Sequence, residues 1–501
     1  MDQFIINFIA AAIREQLLDP IDRIYTRNRL LALLDQPEIK LTAPTIDEET
    51  ELLDLLAALV ESAVKQELIP DQLYARQILE AQIMDLLTPL PSVVNANFWK
   101  AYEKSPEAAT DYFYQLSKQT NYIKTRDIAK NISFEVDSEF GPLELTINLS
   151  KPEKDPHEIR LAAQTESASY PSSALSADNE GFAGSLTQAA RSNHRIVRFT
   201  LNDEAWGMQY SPYMYYDEHC IFLSIEDRLM KVNAQTVANL LTIVEELPHY
   251  FVGSNAGLPI VGGSILSHDH YQGGRHTFPI EAAAASYTFS FEKYPNVQGS
   301  ILHWPMSVLR FEAADPKDLI AVAEAVFKLW ENYSDEAVDI YARSGQTPHN
   351  AITPLARKVQ ERYQIDLVLR NNHTTADYPD GVFHSHPAVQ HIKKENIGLI
   401  EVMGRAILPP RLATELQQVR KYLLKESQEL PTVHRTWAQN IVKDHPNITH
   451  HNVDDILRQA TGEVFVEMLE NAGVFKLDKK GQQAFLKFVE ELQTAIDRKG
   501  E

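Results

Sequence analysis

Apolar positions recur at three- and four-residue spacing through the first quarter of the chain, then switch to alternation near Ile132. Between residues 48 and 68, Leu52, Leu55, Leu56, Leu59 and Val60 form one stripe, the period of a helix that buries one face. Pro70 interrupts the stripe, and Asp71 is placed to cap a following helix, QLYARQILEAQIMDLL. Helical spacing returns over 97–117, after which TNYIKTRDIAKNISFEV moves toward extended structure. Residues 1–130 therefore read as a helical N-terminal region.

Beyond 131 the period is two. FGPLELTINLS (140–150) alternates Leu143, Leu145, Ile147 and Leu149 with polar neighbours behind a Gly-Pro turn, as a half-buried strand does. KPEKDPHE (151–158) reads as a charged loop. Further strands are expected at 194–201, 213–225 and 249–255, with an amphipathic helix at 232–247 between the last two. A second cycle follows: strands at 286–294 and 299–313, a helix at 315–333 opened by Asp315 and Pro316, and strands at 366–372 and 381–386. This interleaving predicts an α+β fold with a largely antiparallel sheet. The order strands, helix, strands, His-X-His occurs twice, ending at His268/His270 and at His384/His386, which suggests an internal duplication into halves 131–285 and 286–410. Residues 411–501 return to helical spacing.

Composition narrows the functional classes. A chain of 501 residues with 44% hydrophobic and 23% charged positions is that of an ordinary globular protein. A formal charge of −22 argues against nucleic-acid binding and means that an anionic substrate needs a local basic cluster. The single cysteine, Cys220, excludes an intrachain disulfide framework. The uncharged run 250–267 holds four Gly, a Pro and an Asn and makes a poor membrane span. With no basic start to suggest a signal peptide, a cytoplasmic protein without membrane partners is expected.

The stretch NAGLPIVGGSILSHDHYQGGRH (255–276) concentrates the chemistry. Alternate residues of a strand share a face, so His268, His270 and Gln272 are expected in one row. Gly257, Gly262, Gly263, Gly273 and Gly274 let backbone approach a ligand, and turn N–H groups can cradle phosphate oxygens. An imidazole with one nitrogen held by a hydrogen bond is a nucleophile through the other, and at phosphorus it gives a phosphoramidate. Gln272 can donate to phosphoryl oxygens but cannot protonate a leaving group, so the pattern suits transfer from a good leaving group. A second cluster, His384, His386 and His391 with Lys393 and Lys394, can bind a metal, hold phosphates or be a solvated polar face. His349, Arg357 and Lys358, and Arg370, Asn371, Asn372 and His373, add local basic and amide groups.

These residues resemble the galactose-1-phosphate uridylyltransferases, specifically their longer second class from Gram-positive bacteria. The matching runs are PSVVNANFW (91–99), LTINLSKPEKDP (145–156), WGMQYSPY (206–213), GGSILSHDHYQGG (262–274), HNAITPLAR (349–357) and KKENIGLIEVMG (393–404). The resemblance implies a duplicated histidine-triad-like core flanked by helical extensions, and a ping-pong exchange of UMP between UDP-glucose and galactose 1-phosphate. His270 then matches the nucleophile that carries a uridylyl group, and Gln272 the amide that steadies it, with His268 beside them. Asn255, Gly257 and Ser264 match nucleotide-phosphate contacts; Gly273 and Arg275 are expected to bind substrate beside them, and Lys394 and Glu401 fall near positions that hold nucleotide or sugar. No organic cofactor is implied, and relatives are usually homodimers.

Metal is where the chain departs from the family pattern. Relatives often carry Cys-X-X-Cys, a downstream His and the first His of His-X-His as a zinc site. Here Ser173 and Ser176 stand for the cysteines and Asp227 for the histidine, so no zinc is expected there. His349, His384 and His386 resemble ligands of a second divalent site for iron or zinc, with Glu281 as the candidate carboxylate. Two other readings of the same residues stay open: a histidine-triad-type dinucleotide hydrolase or phosphorylase, and a non-catalytic sensor of nucleotide sugars.

Overall fold

The computed structural model describes residues 1–150, 169–263 and 265–498. The loop read at 151–158 and Ser264 lie outside the described residues. Helices Asp2–Arg14, Arg23–Leu33, Leu52–Lys65 and Leu73–Asp85 close around a core of their own containing Ile5, Phe8, Leu30, Leu59 and Ile83. The stripe expected over 48–68 is the buried face of the third of these. Asp71 does not cap the next helix: the N-cap is Gln72, and the Asp71 carboxylate accepts from Arg76 Nε at 2.8 Å. The helical reading at 97–117 resolves into two helices, Pro91–Tyr102 and Pro106–Gln119. Ser105 divides them, its hydroxyl capping Ala108 N at 3.1 Å ahead of Pro106.

Fifteen strands follow among the described residues. They are β1 (Ile132–Val136), β2 (Leu143–Ile147), β3 (Val197–Leu201), β4 (Glu204–Tyr210), β5 (Cys220–Ser224), β6 (Phe251–Gly253), β7 (His270–Gly274), β8 (Ala285–Ser290), β9 (Gln298–Leu302) and β10 (Val308–Ala313). β11 (Arg343–Ser344), β12 (Thr347–Pro348), β13 (Asn350–Val359), β14 (Arg362–Asn371) and β15 (Arg405–Leu408) complete the set. Ten of them form one sheet in the order β3-β4-β5-β7-β6-β13-β14-β10-β9-β8, antiparallel throughout.

The order is the same twice. β3, β4, β5, helix Ala234–Glu246, β6 and β7 build one five-stranded half; β8, β9, β10, helix Pro316–Glu331, β13 and β14 build the other. The halves meet edge to edge through β6 and β13. The duplicated α+β core with a largely antiparallel sheet and helical ends is thus present, with one change in how its parts correspond. The counterpart of β7 is β14, not the segment at 381–386, which forms turns instead of the expected strand. Pro379 and Pro387 bracket that segment and cannot donate to a ladder, and Gly381 sits at φ +125°.

The two helices pack together on one face of the sheet. On the other face lie the small sheet β1-β2-β15 and most of the C-terminal helices, joined to it through Phe251, Leu355, Val368, Leu399, Leu412 and Phe465. No helix among the described residues is long and apolar enough to cross a membrane.

One ion triad lies inside this second face. Asp366 on β14 accepts from Arg310 Nε and Nη2 at 2.7 and 2.9 Å and from Arg357 Nη2 at 2.8 Å, with all three residues buried. Burial raises the Asp366 pKa, but the two guanidiniums outweigh it and hold the group below the usual carboxylate range. The carboxylate therefore stabilises the fold above the ordinary Asp value, and that contribution is lost as pH falls through the depressed folded value. Asp366→Ala leaves two buried cations facing each other and is expected to cost about 3–5 kcal/mol. Denaturant unfolding checks this; a midpoint unchanged from the parent chain would show that the triad contributes nothing.

Candidate active site

β7 threads between β5 and β6, pairing His270 with Leu223, and Gln272 with both Ile221 and Gly253. Its alternation separates two faces. Tyr271 turns to the helix-covered face, where its hydroxyl accepts from Asn239 Nδ2 at 2.9 Å and its ring stacks on Trp206. His270 and Gln272 therefore share the opposite face, as the spacing predicts. His268 lies before the strand begins and belongs to the approach loop.

The approach loop fixes the histidines by backbone. Ser224 N donates to Asp269 O at 3.0 Å and Asp269 N to Arg228 O at 2.9 Å. Asp269 itself is gripped by Arg228 Nε at 3.0 Å. His268 Nε2 donates to Ser224 O at 2.9 Å. The His268 carbonyl in turn receives the Nδ1–H of His270 at 2.8 Å. That bond selects the tautomer of His270: with Nδ1 protonated, Nε2 carries the lone pair. Burial lowers the His270 pKa below the usual histidine value, only partly offset by the carbonyl bond, so the ring is neutral at neutral pH.

Upstream, the Gly-rich loop is packed closely enough to require its glycines. A Cβ on Gly262 would stand 2.0 Å from Ala256 O, and one on Gly263 2.5 Å from Asn255 Nδ2. Asn255 Oδ1 accepts from Leu399 N at 2.9 Å, tying this loop to the helical turn Leu399–Val402. Gly257 faces elsewhere: it helps line a cavity of about 660 Å³ walled by Val232, Trp330 and Asn350, between the two helices of the other face.

Several expected site residues are placed differently. Gly273 is a ladder residue whose Cβ would meet Phe251 O at 2.8 Å. Arg275 is not at the His270 face: its Nε lies 2.9 Å from Glu218 Oε1 and its Nη2 3.0 Å from Asp111 Oδ1, a structural network with the helix Pro106–Gln119. Lys394 is exposed and 3.7 Å from Asp380, whereas the buried cation beside Glu401 is Lys393, 3.1 Å from its Oε1. Glu401 Oε2 meanwhile caps Gly398 N at 3.0 Å.

The residues do not fit either metal site. Asp227 Oδ1 lies 3.3 Å from His268 Nδ1, in ion-pair range though not aligned as a hydrogen bond. Its Oδ2 accepts from Ser172 and lies 3.5 Å from Ser176 Oγ. Ser173 Oγ instead accepts from Leu175 N at 3.3 Å. Hydroxyls, a carboxylate and one imidazole make a hydrogen-bonded cluster, not a thiolate-rich zinc site. The three histidines of the other expected site are spent separately. His349 meets Asn372 Oδ1 and Ser344 Oγ, each at 2.8 Å; His384 Nε2 is 3.3 Å from Asn396 Oδ1; His386 Nε2 is 3.0 Å from Val382 O. Glu281 caps Phe278 N and lies 3.7 Å from Arg357. Among the described residues no group of three or more His, Cys, Asp or Glu side chains is arranged to hold a metal ion. Two of the histidines brace the Gly-rich loop at one remove, because Asn372 donates to Pro259 O at 3.2 Å and Asn396 to Gly262 O at 3.5 Å.

His219 also belongs to the site, and no sequence motif points to it. Its Nε2 lies 3.1 Å from Gln272 Oε1, and its ring sits beside Tyr215 and Tyr216. Only the β5–β7 register makes a histidine next to Cys220 the diagonal neighbour of Gln272.

The chain as a whole is similar to known sequences. Residues 16–228 match the family model described as galactose-1-phosphate uridyl transferase, N-terminal domain, and 243–439 match that of the C-terminal domain. A galactose-1-phosphate uridylyltransferase of Streptococcus pneumoniae (strain CGSP14) is 49% identical over 492 residues, covering 98% of this chain and 99% of the relative. One of Ligilactobacillus salivarius is 50% identical over 487 residues, covering 97% and 98%. One of Latilactobacillus sakei is 50% identical over 475, covering 95% of each. Among solved structures, that of a yeast Ap4A phosphorylase aligns over 73% of this chain and 93% of that one, at 12% identity and a TM-score of 0.37. The chain therefore belongs to the galactose-1-phosphate uridylyltransferases, a family of transferases.

Proposed function

We propose that the chain exchanges UMP between UDP-glucose and galactose 1-phosphate through a uridylyl group carried on His270. The observation that carries this reading is the 2.8 Å bond from His270 Nδ1 to the His268 carbonyl, which leaves Nε2 as the free lone pair on the face shared with Gln272. Nε2 attacks the α-phosphorus of UDP-glucose, and the bond from that phosphorus to the bridging oxygen breaks. The electron pair leaves with glucose 1-phosphate, whose phosphate oxygen needs no proton to depart. In the second half, a phosphate oxygen of galactose 1-phosphate attacks the same phosphorus, the N–P bond breaks, and neutral His270 returns with the proton still on Nδ1, hydrogen-bonded to the His268 carbonyl. Gln272 donates amide N–H groups to the non-bridging oxygens as charge shifts onto them. Asn255 and the Gly-rich loop border the nucleotide, and Glu401 with Lys393 borders the hexose phosphate. The active chain is a cytoplasmic homodimer in this reading, and no step needs a metal or an organic cofactor.

Incubation with UDP-glucose alone is expected to add one uridylyl group to His270, read by intact mass and peptide mapping. Label on another residue, or steady release of free UMP in place of transfer to galactose 1-phosphate, would falsify the mechanism. His270→Asn should lower exchange by at least about a thousandfold while the chain still unfolds cooperatively. The pH profile follows from the depressed His270 value. Neutral imidazole is the reactive form, so activity is complete at neutral pH and falls only as pH drops through a value below the ordinary histidine range of about 6.5. An acid limb in kcat/KM centred above that range would contradict a buried neutral nucleophile.

A further inference from the structure

The orientation of an amide is not set by its own chemistry, because the oxygen and nitrogen ends of Gln272 differ little in shape. In the structure the oxygen end faces His219 Nε2 at 3.1 Å. His219 is buried, and burial pushes its pKa down to about 4, so the ring is neutral and carries a single N–H. Its Nδ1 is also buried and has no hydrogen-bond partner. If the proton were on Nδ1, an N–H would be stranded in the interior, and Gln272 would have to turn its NH₂ inward to meet the Nε2 lone pair. With the proton on Nε2, only a lone pair is stranded, which costs less than an orphaned donor. His219 therefore donates to Gln272 Oε1.

The ring that donates is itself held. It lies 4.5 Å from Tyr216 and 5.6 Å from Tyr215, centroid to centroid, and its backbone is bonded at both ends, to Tyr216 O at 3.2 Å and from Ser211 N at 2.8 Å. Gln272 has no other side-chain partner among the described residues that could fix its amide.

We propose that His219 is a positioning residue for uridylyl transfer, turning Gln272 so that both N–H groups of its amide face the phosphoryl group on His270. This rests on the uridylyl-transfer reading given above. An amide free to flip would present its oxygen to the phosphoryl oxygens part of the time, and that repulsion grows in the transition state, where charge accumulates. The signature is thus a loss in kcat with little change in KM.

A matched pair of variants separates donation from packing. Gln at 219 can place an amide N–H where the imidazole Nε2–H stood; Met has a similar length and no donor. His219→Gln is expected to exchange within about threefold of the parent chain, and His219→Met to lose about tenfold or more in kcat, with KM for UDP-glucose within about threefold. His219→Phe, which keeps a ring between the tyrosines, should behave like the Met variant. Equal kcat for the Gln and Met variants, or a loss confined to KM, overturns the assignment. Each assay is run beside the parent chain incubated with UDP-glucose. Absence of a uridylyl adduct on the parent's His270 overturns the transfer reading and this role with it. A normal adduct with kcat indifferent to the donor at 219 overturns this role alone.

Discussion

Two backbone pairings, Gly253 with Leu355 and Val252 with Ala356, join the five-stranded halves into one sheet. The rest of the site depends on that seam. β7 is only two strands from the second half, so the loop that precedes His270 can be tied down by residues far along the chain. Leu399 N holds Asn255, Asn372 holds Pro259 O and Asn396 holds Gly262 O. Gly253 lets the seam pack closely, since a Cβ there would stand 2.8 Å from the Leu355 methyl, 2.9 Å from the Leu399 methyl and 3.0 Å from Pro354 O. The first half thus carries His270 and Gln272, and the second half supplies much of what keeps their loop in place.

Burial is what keeps two histidines of the site, His270 and His219, neutral. His270 and His219 are each driven below the ordinary histidine value by loss of water, and each uses one polarised N–H to a carbonyl-type oxygen. A neutral imidazole keeps the lone pair needed for attack. At His219 the charge of Arg405, itself paired with Glu144, adds to the lowering by burial. The Ser172–Asp227–His268 cluster serves the same end, because it anchors the residue whose carbonyl selects the tautomer of His270.

Much of this was legible from local pattern. The stripe from Leu52 to Val60, the amphipathic helices near 234–246 and 316–331 and the alternation of Leu143, Leu145 and Ile147 all follow periods that one stretch of chain displays unaided. His270 and Gln272 share a face for the same reason. What failed was inference across the chain. The two His-X-His pairs looked like repeats, yet the second sits in turns between Pro379 and Pro387, and its histidines are bonded to different partners. Arg275 was expected beside the substrate by adjacency, but strand alternation carries it to the opposite face, where Glu218 and Asp111 take its charge.

The sequence by itself determined the period of most elements, the requirement for glycine before β7, and the placing of His270 and the Gln272 amide on one strand face. These depend on backbone geometry within a few residues. The tertiary structure decided which lysine lies beside Glu401, that His349 and His384 brace a loop instead of sharing a metal, and that His219 faces the oxygen of Gln272. Each of those outcomes is set by strand register and by which buried polar atoms remain to be satisfied once the sheet has closed. For His219 and Gln272 that requires residues 53 positions apart to meet.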